Sequence, residues 1–245
     1  MSAFSPAVFD ATIEELTGGL TDLTGHLRNI APTVNATVSS PLVPGFVADG
    51  LVWCAERLIA IGTEVLEKLK ELLLGAVAPG AFFFRAADWP DRVGGPASGV
   101  AGSIAPSALR APLVWTGEAA TSYGRATAGQ APAASSVEKL SGTVATALTT
   151  CAAGGLAFYI ALGIILVKLI VATIAAIVAL GSVVFSWAGV ALIVEEAGVN
   201  SVMITAAVVA LLTLLGVQGA ALVAVRGGAA SDTAFPAGHW PVGAS

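Results

Sequence analysis

A chain of 245 residues with 56% hydrophobic and only 11% charged side chains carries more apolar surface than one soluble core of this size needs. Its formal charge of −5 comes with no basic cluster, which excludes a nucleic-acid partner because phosphate neutralisation needs grouped Lys and Arg. Its two cysteines, Cys54 and Cys151, stand far apart without metal-ligand spacing, so both are expected as buried free thiols.

The first residues, MSAFSPAVFDATIEEL, lack a basic n-region and an apolar h-region, so no Sec signal peptide is expected. Ile13, Leu16, Leu20, Leu23, Leu27 and Ile30 recur at helical spacing and draw one apolar stripe. The pattern predicts a helix that starts at a Thr12-x-x-Glu15 capping box and ends at Pro32. A Pro, Ser and Thr-rich loop follows, within which Asn35-Ala-Thr37 fits a glycosylation sequon. The second stripe runs Leu51, Cys54, Leu58, Ile61, Val65, Leu69 and Leu72, with Gly75 and Pro79 as its stop. Its other side carries Glu56, Arg57, Glu64, Glu67, Lys68, Lys70 and Glu71, the pattern of a solvated face. The two helices are expected to pair antiparallel within an N-terminal helical region, 1–85.

In 86–113, Trp89, Val93, Ala97, Val100 and Ile104 keep a helical rhythm. Gly94, Gly95 and Pro96 weaken it, each glycine by about 1 kcal/mol. A longer helix is expected from Tyr123, with a narrow stripe through Gln130, Ala134, Val137, Leu140, Val144, Leu148 and Cys151. Without a break signal, it continues toward the apolar part of the chain.

Between these helices stands Trp115-Thr116-Gly117-Glu118-Ala119-Ala120-Thr121-Ser122-Tyr123, a W-x-G followed by A-A-x-x-Y. Over about residues 86–150 this resembles the WXG family of type VII secretion substrates, the early-secreted-antigen-like helical hairpins of actinobacteria. The resemblance implies that Trp115 and Gly117 form the turn of an antiparallel hairpin, with Tyr123 on the same face below the tryptophan. Glycine suits such a turn because it tolerates positive φ, and a tryptophan covers the open end of a helix pair. The family's tyrosine-x-x-x-acidic secretion signal is not met, since Thr127 follows Tyr123 and Gly163 follows Tyr159 at that offset. Recognition by the secretion motor would then rest on a partner that carries the signal.

From 151 to 225 the only charges are Lys168, Glu195 and Glu196. A bilayer core of about 30 Å is crossed by about 20 apolar residues, and 169–194 and 202–225 each satisfy that. The expected arrangement is a hairpin with Glu195 and Glu196 in the turn. Lys168 and Arg226 flank its outer ends on the cytoplasmic side, as the positive-inside rule orients them. Residues 151–167 stay open between a third crossing and the apolar end of a long helix. The last stretch, 227–245, is Gly, Ala and Pro-rich and reads as a flexible tail.

No G-x-S-x-G, H-E-x-x-H, C-x-x-C or phosphate-binding loop occurs, and His26 and His239 lie in unrelated contexts. The expectation is an all-α helical bundle with a WXG-type hairpin and a transmembrane hairpin, not an enzyme, with no cofactor, catalytic residue or metal. Its expected partners are the lipid bilayer and a helical protein or a second copy, through Gly181, Gly189, Gly216, Gly219 and Ala220. The expected location is the cell membrane, multi-pass, with secretion by a non-Sec route left open; an integral scaffold unrelated to secretion is the alternative.

Overall fold

The computed structural model describes residues 4–181, 187–231 and 233–241, and the side chains of 187–201 and 231 lie outside the described set. Among the described residues the fold is all-α, with no strand: α1 Pro6–Val38, α2 Gly45–Leu73, α3 Val77–Trp89, α4 Gly95–Ser103, α5 Ala111–Val114, α6 Glu118–Ala128, α7 Gln130–Leu180 and α8 Trp187–Ser231. The chain divides into two compact units, one formed by Ala3–Ala78 with Gly154–Leu212, the other by Pro79–Ala153 with Thr213–Ser245.

In the first unit, α1 begins at Ser5-Pro6 and not at Thr12. Ser5 is extended and Pro6 takes the first helical position, where its missing N–H costs nothing. Thr12 instead turns its hydroxyl back to the Val8 carbonyl at 2.8 Å. Pro32 does not end the helix either; α1 runs on to Val38 with Pro32 on its exposed side. On that side the carbonyl that proline leaves without an intrahelical partner faces solvent. The Thr33 and Thr37 hydroxyls bond back to the Asn29 and Thr33 carbonyls around the same place. The predicted stripe is the core side of α1, with Leu16, Leu20, Leu23, Leu27 and Ile30 buried and extended by Phe9 and Val34.

Leu51, Cys54, Leu58, Val65 and Leu69 form the matching face of α2. The pair is antiparallel, and Leu27 sits so tightly over Gly62 that a Cβ there would overlap its methyl groups. Gly75 lies in the short turn after α2, whereas Pro79 opens the next helix and does not stop the last.

The second half of α7 lies along α1 in the same direction. Phe9 meets Tyr159 edge-on at 5.8 Å, Gly19 meets Leu166, and Thr33 meets Gly181. The offsets are 159 − 9 = 150, 166 − 19 = 147 and 181 − 33 = 148, so the two helices hold one register throughout. The Tyr159 hydroxyl donates to the Leu72 carbonyl at 3.0 Å and ties in the end of α2. Burying leucines as fully as Leu16, Leu23, Leu51, Leu69, Leu162 and Leu169 contributes about 1.5–3 kcal/mol each.

In the second unit, α3 passes into α4 through a π turn at Pro90–Gly94. A π turn loosens the ladder of hydrogen bonds, and here the Trp89 carbonyl accepts from the buried Ser141 hydroxyl at 2.7 Å. Residues 89 and 141 are equidistant from Trp115 (115 − 89 = 26 and 141 − 115 = 26), and the chain on the two sides of the corner meets at Trp89, Gly94 and Ser141. The inner face of α7 in this unit is narrow, built from Ala133, Ala134, Ser141, Val144 and Ala147. Val100, part of the stripe counted from Trp89, is 45% exposed, and α4 buries no residue. The extra residue of the π turn shifts the phase of the helix behind it, so a stripe counted from Trp89 points elsewhere after Gly94.

The apolar region departs from expectation at one place. Of the span expected over 169–194, α7 ends at Leu180 with Gly181 in a turn and 187–194 belong to α8, while 182–186 lie outside the described residues. Residues 195–201, expected as a turn, are helical backbone within α8. Glutamate and alanine are good helix formers, and one glycine, Gly198, costs only about 1 kcal/mol in a helix of this length. Residues 151–167 are the continuation of a long helix from the polar part of the chain, one of the two readings left open.

Candidate functional site: apolar helix faces and a Trp–Gly corner

The second half of α7 has two unlike sides. Leu162, Ile165, Leu166, Leu169, Ala172 and Ala176 are buried in the first unit. Ile160, Ile164, Val167, Val171, Ile174 and Val178 recur at alternating steps of four and three along the other side, all of them exposed. Of the most apolar window of this helix, 39% is buried. The corresponding window of Val202–Ala230 in α8 is not buried at all. Val202, Val209, Leu212, Val217 and Val223 are exposed there, and a Cβ on Gly216 or Gly219 would meet nothing within 4 Å. At 1.5 Å per residue, the 29 residues of Val202–Ala230 extend about 43 Å, longer than the hydrocarbon layer. Ile204 is the buried exception, beside a groove of about 200 Å³ lined by Glu64, Val65, Lys68 and Thr205.

The expected flanking charges fall at different kinds of position. Lys168 is exposed inside α7, twelve residues before its end (180 − 168 = 12), and not at a helix terminus. It borders a groove of about 480 Å³ between α1 and α7, shared with Thr12, Glu15, Gly19, Ile164 and Ile170. Its four-carbon stem can lie along that apolar wall while the ammonium stays in water. Arg226 is exposed near the end of α8. Glu195 and Glu196 belong to the α8 backbone, and their side chains lie outside the described residues, as does Gly189. Gly181 packs against Thr33 of α1, so its small size serves contact within this unit.

At the corner, Trp115 is extended and Gly117 precedes α6 with φ 96° and ψ −171°. That combination is essentially restricted to glycine. The Gly117 carbonyl accepts the Thr121 N–H, and Glu118 stands in the first turn, where its charge complements the helix dipole. Trp115 and Tyr123 pack with ring centroids 5.9 Å apart. The tryptophan remains 46% exposed, beside the exposed Leu113 and Val114, so it leans on Tyr123 and leaves the corner apolar toward solvent.

Cys54 and Cys151 are free and buried, as expected. Burial pushes the Cys54 thiol up from its ordinary value. His26 is half-buried on α1 and His239 is exposed, and no cluster of three or more His, Cys, Asp or Glu that would hold a metal occurs among the described residues. Comparison with family models, with curated proteins and with solved structures finds no match to this chain.

Three residues that organise these faces escaped the sequence reading. Tyr159 and Ser141 bond carbonyls 87 and 52 residues away, which no local pattern reports. Gly62 did leave a signal: a glycine inside an apolar helical stripe costs about 1 kcal/mol against alanine and so marks a packing constraint.

Proposed function

We propose that this chain is a membrane-associated helical protein whose apolar helices, the second half of α7 and α8, enter a bilayer. The single observation that carries this reading is the unburied apolar window of α8. A helix apolar on nearly all sides is accommodated in a large core or in lipid. Two such helices, each longer than about 20 residues, match the hydrocarbon thickness. The lipid bilayer is the first partner, and the glycines of α8 favour a further helical partner or a second copy.

The finer part of the proposal links the chain to type VII secretion as a WXG-like protein, acting as substrate, effector or tethered helper. Its support is the corner: a glycine-only conformation at Gly117, Trp115 on Tyr123, and the contact of Ser141 with Trp89 at equal distance on either side. An integral scaffold unrelated to secretion shares the membrane helices but gives the corner no role beyond packing. Fractionation of producing cells with and without an intact type VII motor separates these. The secretion-linked reading expects the protein to redistribute between cell envelope and medium when the motor is lost. An unchanged distribution would leave the scaffold.

A further inference from the structure

We propose that α1 and α2 form a releasable cover over the apolar half of α7, and that this half enters a bilayer only after the cover has peeled away. This rests on the reading of α7 and α8 as membrane-entering helices.

The argument is one of depth. Phe9, Gly19 and Thr33 of α1 lie beside Tyr159, Leu166 and Gly181 of α7 at a nearly constant offset. Two helices side by side in the same direction occupy the same depth in any layer that contains one of them. The paired stretch from 159 to 181 spans about 33 Å, the whole thickness of a hydrocarbon core. A bilayer around it would also receive the outer face of α1, where Asp10, Glu14, Glu15, Asp22 and Arg28 are exposed. The outer face of α2, with Glu56, Glu64, Glu67 and Glu71, would follow. Several lipid-exposed carboxylates at that depth cost far more than the one charge of the α7 stretch, Lys168, whose ammonium can snorkel toward an interface. The packing of α1 on α7 and the insertion of α7 therefore exclude each other.

The contacts are of a kind that separates cleanly. Gly19 on Leu166, Thr33 on Gly181 and Phe9 on Tyr159 are apolar contacts. The polar tie, Tyr159 to the Leu72 carbonyl, leaves that carbonyl still accepting the Gly75 N–H at 3.2 Å. After release, α1 and α2 retain each other's apolar stripes, as Leu27 over Gly62 illustrates. Lys168 and Glu15 at the α1–α7 groove pass from a shared rim to separate environments.

The test locks the cover to α7 by a disulfide in the full chain with C54A and C151A. A Cβ on Gly19 stands 3.3 Å from Leu166 Cγ, the place the new sulfur of L166C would take, so G19C/L166C suits a disulfide. T33C/G181C, where Thr33 Cγ2 is 3.2 Å from a Gly181 Cβ, is a second lock at the other end of the pairing. Each is mixed with phosphatidylcholine–phosphatidylglycerol vesicles, and the carbonate-resistant fraction and release of trapped dye are measured. The oxidised locks should insert at least about tenfold less than their reduced forms. Reductant should restore insertion, and the cysteine-free parent should not respond to it. Oxidised protein inserting as fast as reduced protein would overturn the cover while leaving the membrane reading intact. Failure of the parent and of both reduced variants to enter vesicles would overturn the membrane reading, and the cover with it.

Discussion

Gly117 sets the path of the chain at the corner, because its φ of 96° with ψ near 180° admits no side chain without strain. Nothing lies within 4 Å of a Cβ built there, so any penalty is conformational and not steric crowding. Gly117→Ala should cost about 1–3 kcal/mol of stability, read from the urea midpoint of the full chain; an unchanged midpoint would mean the corner relaxes freely. Trp115→Ala should cost about 1 kcal/mol, the scale of an aromatic pair. Removing a fully buried indole would cost far more, and the side chain here is half exposed. Cys54 provides a second residue-scale test. It is buried and its thiol is pushed up, so iodoacetamide should label it slowly at neutral pH until denaturant opens the chain. The folded thiol holds its proton longer than the unfolded one. Cys54 therefore contributes nothing to pH dependence well below its ordinary value of 9.0, and draws the chain toward unfolding above it. Rapid labelling in native buffer would contradict that burial.

Among the elements, α1 and α2 were legible because each buries one stripe, and a period of 3.6 is the physical signature of one buried side. Leu23, fully buried in the middle of that stripe, should cost about 2–5 kcal/mol when changed to alanine. Val100→Ala on the exposed α4 should change stability little; equal losses at the two sites, by thermal melting, would refute the assignment of sides. The boundaries were less legible, for reasons particular to each. Pro32 lies on a solvated side, where losing one hydrogen bond is tolerated, so a sequence rule for helix ends fails there. The π turn after Trp89 is braced by Ser141, 52 residues away, whose hydroxyl donates to the Trp89 carbonyl. Ser141→Ala should accordingly cost about 0.5–1.5 kcal/mol, the net worth of one hydrogen bond, and its melting curve should fall below that of the native chain. The acidic pair Glu195-Glu196 reads as a turn between apolar runs because charge interrupts hydropathy. Backbone propensity is a separate matter, and it favours continued helix there. Gly181, directly after the last residue of α7, was the better signal for the end of that helix.

At the scale of the whole molecule, apolar composition and the packing of α1 on α7 pull in opposite directions. The first calls for lipid around α7 and α8, and the second keeps the carboxylates of α1 beside α7. Composition alone made the two long apolar helices legible; the side-by-side register was not, since it depends on contacts about 150 residues apart. The most direct measurement places an environment-sensitive fluorophore at Leu212→Cys, in the exposed apolar face of α8, in the full chain lacking Cys54 and Cys151. On addition of phospholipid vesicles its emission should shift to the blue, and lipids brominated deep in the acyl chains should quench it more strongly than aqueous iodide. A probe that stays iodide-accessible and unshifted, with the protein remaining unbound to vesicles, would contradict membrane entry by α8.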